Sequence, residues 1–183
     1  DPANPMLTSC LGWHNLFDDR FDQALKQAAE AQRMMPNFWA QIVQGWAESG
    51  KGMRVQAVAS MREAVALAPA LGFTQAALAH ALARNGETRE AREVLAQLLA
   101  RARQSYISAY DVAIVYAGLG ENDHAFEWLV KAVAERSMFT VHLTWDARLQ
   151  PLRADRRFRE LEERRAIPGP APRAKGTKTV TAL

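Results

Sequence analysis

Residues 38–67 read FWAQIVQGWAESGKGMRVQAVASMREAVAL, and residues 72–101 read GFTQAALAHALARNGETREAREVLAQLLAR. Shifted by 34 and laid together, they place Gly52 over Gly86, Ala57 over Ala91 and Met61 over Leu95. The register continues outward in both directions. Asp19, Gly52, Gly86 and Gly120 are separated by 33, 34 and 34 residues. Ala24, Ala57, Ala91 and Ala125 keep the same intervals, as do Ala28, Met61, Leu95 and Leu129. So do Ala31, Ala64, Leu98 and Ala132, and so do Gly12, Gly45, Ala79 and Ala113. Several unrelated columns agree on one period, which marks a stack of repeated supersecondary units.

Each column has a physical reading. Small residues at Gly12, Gly45, Ala79 and Ala113, and at Ala24, Ala57, Ala91 and Ala125, let helices approach closely. Met61, Leu95 and Leu129 then fill the space between neighbouring hairpins. Gly52, Gly86 and Gly120 fall in turns, where left-handed backbone suits glycine. Pro36 and Pro69 follow the second helices of two units and stop them. The period predicts eight helices in four hairpins: 5–17 with 21–34, 38–50 with 54–67, 72–85 with 88–101, and 106–119 with 122–135. A single hairpin of this kind cannot bury its apolar face, so stacking supplies the stability.

These residues resemble the tetratricopeptide repeat family over about residues 1 to 137. The marks are Leu11-Gly12, Ala24, Ala31 and Pro36 in the first unit and Gly45, Ala57, Ala64 and Pro69 in the second. In the fourth they are Ala113, Tyr116, Gly120 and Ala125. The third unit departs, with Ala79 for the usual glycine and Arg103 where proline is common, and the fourth has Ser137 there. The resemblance implies an all-α, TPR-type solenoid. Pro2, Pro36, Pro69, Arg103 and Ser137 recur at 34, 33, 34 and 34. Pro2 therefore reads as the end of an earlier hairpin, and at least one further repeat is expected upstream.

The period stops at Ser137. Residues 138–167 read as a C-terminal cap, with one amphipathic helix over 155–166 started by Asp155 and closed by Pro168. Phe158, Leu161 and Arg165 share a face of it. Such a cap covers the last apolar hairpin with a polar outer layer. Tyr116 to Glu121, Ala125 to Leu129, and Asp146, Leu152, Arg153, Asp155, Arg157 and Phe158 resemble the C-terminal end of large bacterial repeat proteins. Ala147 and Arg156 stand where that pattern has proline. There the repeats follow a winged-helix, nucleotide cyclase or serine/threonine kinase domain, so the resemblance implies a bacterial regulatory context. Residues 168–183 read as a disordered basic tail.

Composition narrows the function. The 183 residues are 49% hydrophobic, with 10 glycines and 8 prolines, a balance that favours packed helices. No apolar run approaches the roughly 20 residues of a membrane helix, and no secretory signal is visible. Twenty-three Lys and Arg face twenty Asp and Glu. Arg173, Lys175 and Lys178 lie in the tail, and without them the body is neutral, which argues against a nucleic-acid face. The single cysteine, Cys10, is expected as a small buried apolar side chain. His14, His80, His124 and His142 form no metal-ligand spacing, and no phosphate loop, dinucleotide motif or nucleophile elbow is present. No cofactor, metal or catalytic residue is expected.

In the solenoid that the resemblance implies, the first helix of each hairpin lines the concave face. Trp13, Trp46, His80 and Ile114 form one column there, Met6, Trp39, Phe73 and Ile107 a second, and Ser9, Ile42, Ala76 and Tyr110 a third. Phe17 lies one turn beyond Trp13. This surface is apolar and aromatic, unusual for a face that meets water. It reads as a groove for an apolar helix or extended segment of a protein partner. Alternatively, the aromatics pack between neighbouring first helices, or the groove is filled within the native protein or by a second copy. The terminal-carboxylate clamp of some family members is absent, because Ser9, Trp13, Trp46, Phe73 and Ala77 occupy that surface. The expected function is a non-enzymatic protein–protein interaction module of a larger bacterial regulator, with homodimerisation as the alternative. The expected location is cytoplasmic, or periplasmic if the parent protein is membrane-anchored.

Overall fold

The computed structural model describes residues 4–165. Among them the chain is all-α, with no strand, and its helices pack in sequential pairs. α1 (Pro5–Phe17) pairs with α2 (Phe21–Met34), and α3 (Phe38–Gly50) with α4 (Arg54–Leu67). α5 (Gly72–Asn85) pairs with α6 (Thr88–Arg101), and α7 (Ala109–Leu119) with α8 (Asn122–Ala134). Two short 3-10 segments, Met138–His142 and Ala147–Leu152, lead to α9 (Arg156–Arg165).

The expected columns carry the packing. A Cβ on Gly12 would fall 2.8 Å from Val43 Cγ1, and one on Gly45 would fall 2.7 Å from Met61 Cε and 3.2 Å from the Ala57 carbonyl. Helices α1 with α3, and α3 with α4, therefore approach closer than any side chain at these positions allows. Ala24, Ala57, Ala91 and Ala125 are buried, and so are Met61, Leu95 and Leu129. The turn column is a backbone column. Asp19, Gly52, Gly86 and Gly120 have φ of 54°, 77°, 90° and 76°, all left-handed. Nothing lies near a Cβ built on the three glycines, so conformation alone selects glycine there. Asp19 tolerates the same angles better than most residues.

Neighbouring hairpins are also stitched by ion pairs along the second helices. Arg62 on α4 meets Glu90 on α6 at 2.9 Å, and Arg92 on α6 meets Glu121 before α8 at 2.7 Å. Arg157 on α9 meets Asp123 on α8 at 2.8 Å. The Arg62–Glu90 pair is largely solvated and contributes less than about 1 kcal/mol, whereas the Glu121 side chain is mostly buried.

Two expectations are corrected. α7 begins at Ala109, not 106, because residues 102–108 form a longer connection than the earlier links between hairpins. The Glu135 carboxylate then accepts from the Ala109 amide at 2.9 Å and fixes the helix start. α7 leans chiefly on α5 and only slightly on α6, unlike α3 on α2 or α5 on α4. Cys10 is exposed, not buried, because it lies on the outward side of the first helix, where no hairpin precedes it among the described residues.

At the other end α9 closes the stack. Asp155 Oδ1 accepts from the Arg157 amide at 2.9 Å, the capping role expected of it. Phe158 and Leu161 are buried with Phe126 and Leu129 of α8. The Arg165 side chain, the helix end at 166, Pro168 and the tail at 168–183 lie outside the described residues.

Candidate functional site

The inner side of the stack is carried by α1, α3, α5 and α7. On it the period brings Trp13, Trp39, Trp46 and Phe73 into one cluster, from helices up to 60 residues apart in sequence. Trp13 is its hub. Its ring meets Trp46 at 4.6 Å, Trp39 at 5.2 Å and Phe17 at 5.9 Å between centroids, all edge to face. Trp39 and Phe73 lie 5.2 Å apart, and Trp46 and Phe73 5.8 Å. Edge-to-face pairs of this kind add about 0.5–1.5 kcal/mol each beyond the area they bury.

The face is not open along its whole length. The segment 138–152 folds back across it. Phe139 stacks on Phe73 at 5.1 Å with the planes 13° apart, and its ring lies 6.4 Å from Tyr110 and 6.1 Å from Trp13. His142 stacks on Phe17 at 4.7 Å. The Arg148 guanidinium lies 4.1 Å over the Trp46 ring. The segment thus touches α1, α3, α5 and α7, and joins the first hairpin to the last. Leu143, Leu149 and Leu152 anchor it in the core formed by α7, α8 and α9.

Its polar anchor is Asp146. Tyr110 Oη donates to Asp146 Oδ2 at 2.7 Å, and Arg148 Nη2 donates to the same oxygen at 2.6 Å. Arg148 Nε and the Arg148 amide donate to Oδ1 at 2.9 and 3.0 Å, so this carboxylate also starts the second 3-10 segment. Burial alone would raise the Asp146 pKa. The Arg148 charge and the hydrogen bonds from Arg148 and Tyr110 outweigh it and hold the carboxyl below its ordinary value. Burial, followed by the Asp146 charge, pushes the Tyr110 phenol well above its ordinary value. The pair is ionised, and its members satisfy each other away from water.

Two further groups are titratable beside this anchor. His80 packs against α7, where a Cβ on Gly118 would fall 2.8 Å from its ring. Burial, aided by the Arg148 charge, lowers its pKa to about 3, so the imidazole is neutral. Asp111 is raised to about 7, chiefly by burial, against the opposing pull of Arg148.

What remains of the inner face is a cavity of about 550 Å³ between the ends of α1, α3 and α5 and the returning segment. Trp13, Phe17, Phe21 and Trp46 wall one side, and His80, Arg148 and Pro151 the other. Asp19 and Arg84 also line it, and among the described residues neither side chain makes an ion pair or hydrogen bond.

The expected inner-face residues thus fall into two groups. Trp13, Phe17, Trp39, Trp46 and Phe73 meet in one half-buried aromatic cluster. Ile42, Tyr110 and Ile114 lie on the same face but are buried beneath neighbouring helices and the returning segment, and His80, buried as well, reaches only the wall of the cavity. Phe139, His142, Asp146 and Arg148 belong to the site and were not expected in it. The density of aromatic residues at Phe139, His142 and Trp145, in a segment that has left the period, is the one signal that pointed there. Among the described residues no three His, Cys, Asp or Glu side chains gather as metal ligands, and no helix is long and apolar enough to cross a membrane. No protein-family model and no curated protein matches the chain.

Proposed function

We propose that this chain is a non-enzymatic protein-interaction module of the tetratricopeptide-repeat type, the C-terminal repeat region of a larger bacterial regulatory protein. The period of 33 or 34 residues and the sequential packing of helix pairs support the repeat type. The observation that carries the function is the aromatic-walled cavity of about 550 Å³ beside Trp13, Phe17 and Trp46. A space of that size takes one or two large apolar side chains from a partner helix or extended segment. The returning segment 138–152 shapes that cavity, so the partner meets a preformed pocket beside the segment, not a bare groove.

The test is selection of peptides from a random displayed library on the intact chain. The expected result is enriched sequences with large apolar anchors that bind in the micromolar range. Their affinity drops at least tenfold for Phe17→Ala and Trp46→Ala, with helicity by circular dichroism retained. A library that yields no enriched sequence, or peptides indifferent to both substitutions, overturns the reading.

A further inference from the structure

Three carboxylates are buried among the described residues, those of Glu48, Asp111 and Asp146. Glu48 accepts from Ser60 Oγ at 2.7 Å and from Gln44 Nε2 at 3.0 Å. Asp146 accepts from Tyr110 and Arg148. Asp111, in the first turn of α7, is 6% exposed, yet among the described residues its carboxylate makes no hydrogen bond and no ion pair. Buried charges are ordinarily paired, so this one is missing a partner. The neighbouring cation does not serve it. Arg148 gives its Nε and Nη2 to Asp146 and lies beyond ion-pair reach of Asp111.

Asp111 lines a second cavity, of about 250 Å³, between the starts of α5, α7 and the returning segment. This cavity shares no lining residue with the one beside Trp46. Phe73, Ile107 and Phe139 give it apolar walls. The Ser108 and Ser137 hydroxyls, 2.7 Å apart, line it together with Asp111. Leu71, Tyr106 and Met138 line it as well and are 42%, 73% and 71% exposed, so its lining continues onto a surface of large side chains.

We propose that this second cavity is a binding site for a lysine side chain presented by a partner protein, with the lysine ammonium paired to the Asp111 carboxylate. The ligand class follows from the parts. A cation supplies the charge that the carboxylate lacks. The methylene stem of a lysine lies along apolar walls such as Phe73, Ile107 and Phe139 while its head reaches a polar group. Its three N–H donors suit one carboxylate and two serine hydroxyls. The five donors of a guanidinium would be left partly unsatisfied in so apolar a space. Apolar residues on either side of the lysine would cover Leu71, Tyr106 and Met138, which a free amine would leave bare. The site goes beyond the aromatic-cavity reading and does not rest on it.

Nuclear magnetic resonance titration of the intact chain tests it, with the acetylated and amidated tripeptide leucyl-lysyl-leucine as probe. The methyl signals of Ile107 and Met138 are expected to shift saturably, with a dissociation constant of about 0.1–5 mM, the range of one small anchored contact. The same tripeptide with norleucine for lysine, and n-butylamine, are expected to bind at least about tenfold more weakly. Asp111→Asn keeps the size and removes the charge. It is expected to bring the lysine probe down to the norleucine level, with an unchanged circular dichroism spectrum. The probe stays charged below about pH 10, so the pH dependence belongs to Asp111, which Arg148 and Glu135 face. Affinity is expected to be level above the Asp111 pKa of about 7 and to fall by up to about tenfold per pH unit below it. No saturable shift up to about 20 mM probe overturns the proposal. So does equal binding of the norleucine tripeptide or of n-butylamine, an affinity that Asp111→Asn leaves intact, or one that is flat from about pH 8 to 6. Selection at the aromatic cavity is read on Phe17→Ala and Trp46→Ala, and this titration on Asp111→Asn, so the two readings fail separately.

Discussion

The second helices and the returning segment hold the molecule together in opposite ways. Along α2, α4, α6 and α8 the contacts repeat. The same alanine column is buried in each unit, and exposed pairs such as Arg62 with Glu90 span neighbours. Across the inner face nothing repeats. Phe139, His142, Asp146 and Arg148 make contacts that no other described unit copies, and their nearest partners lie on α5, α1, α7 and α3 in that order. Repeated contacts are individually weak and share their load along the stack. The unrepeated ones centre on one buried ion pair, Asp146 with Arg148, whose members reach Tyr110 on α7 and Trp46 on α3.

The sharpest way to break that contrast is Asp146→Ala. It leaves the Arg148 guanidinium buried without its carboxylate and the Tyr110 hydroxyl without its acceptor, and the expected loss is about 3–5 kcal/mol. Urea unfolding measures it. Tryptophan emission should shift to the red before global unfolding, as the segment lifts from Trp13 and Trp46. A loss under about 1 kcal/mol would mean that Leu143, Leu149 and Leu152 hold the segment without the pair.

The titratable groups of this region should set its pH response. His80, held at about 3 against an ordinary 6.5, gives stability that is complete above 6.5 and falls on acidification through that window. Asp111, raised to about 7 from 3.8, works oppositely and loses its contribution as pH rises from 3.8 to 7. The two offset each other between 3.8 and 6.5. Asp111→Asn removes the opposing member, so acidification below 6.5 should cost roughly 1.4 kcal/mol per pH unit more than in the unsubstituted chain. His142, whose pKa burial also lowers, acts on the same side as His80. Denaturation midpoints measured at intervals from pH 7 to 5 decide the sign.

The repeating region should respond less and differently. Gly45→Ala sets a methyl against Met61 and the Ala57 carbonyl, at a cost of about 1–3 kcal/mol, with no early shift in tryptophan emission. An early shift would mean that helix spacing and the inner segment are coupled. The smallest effect belongs to Arg62→Ala. Its partners are solvated, and the expected loss is about 0.2–1 kcal/mol, shrinking further in high salt.

Legibility follows the same division. The helix bounds other than the start of α7, the left-handed turns at Gly52, Gly86 and Gly120, and the close approach at Gly12 and Gly45 were readable, because each arises from neighbours at a constant spacing. The aromatic columns were readable as well. Their cover was not, since Phe139 over Phe73 and His142 over Phe17 join residues 66 and 125 apart with no counterpart among the other described residues. Cys10 was misread because its column is buried in every unit that has a predecessor, and α1 has none among the described residues.

By itself, the sequence determined that this chain is a row of helix pairs with an aromatic inner side, because periodic packing writes the same residue types at the same interval. Only the tertiary structure decided that residues 138–152 lie across that side, leave an aromatic-walled cavity beside Trp13 and Trp46, and tie the first hairpin to the last. Such a closure depends on where the accumulated twist of four stacked hairpins brings two distant segments, and no local spacing records it.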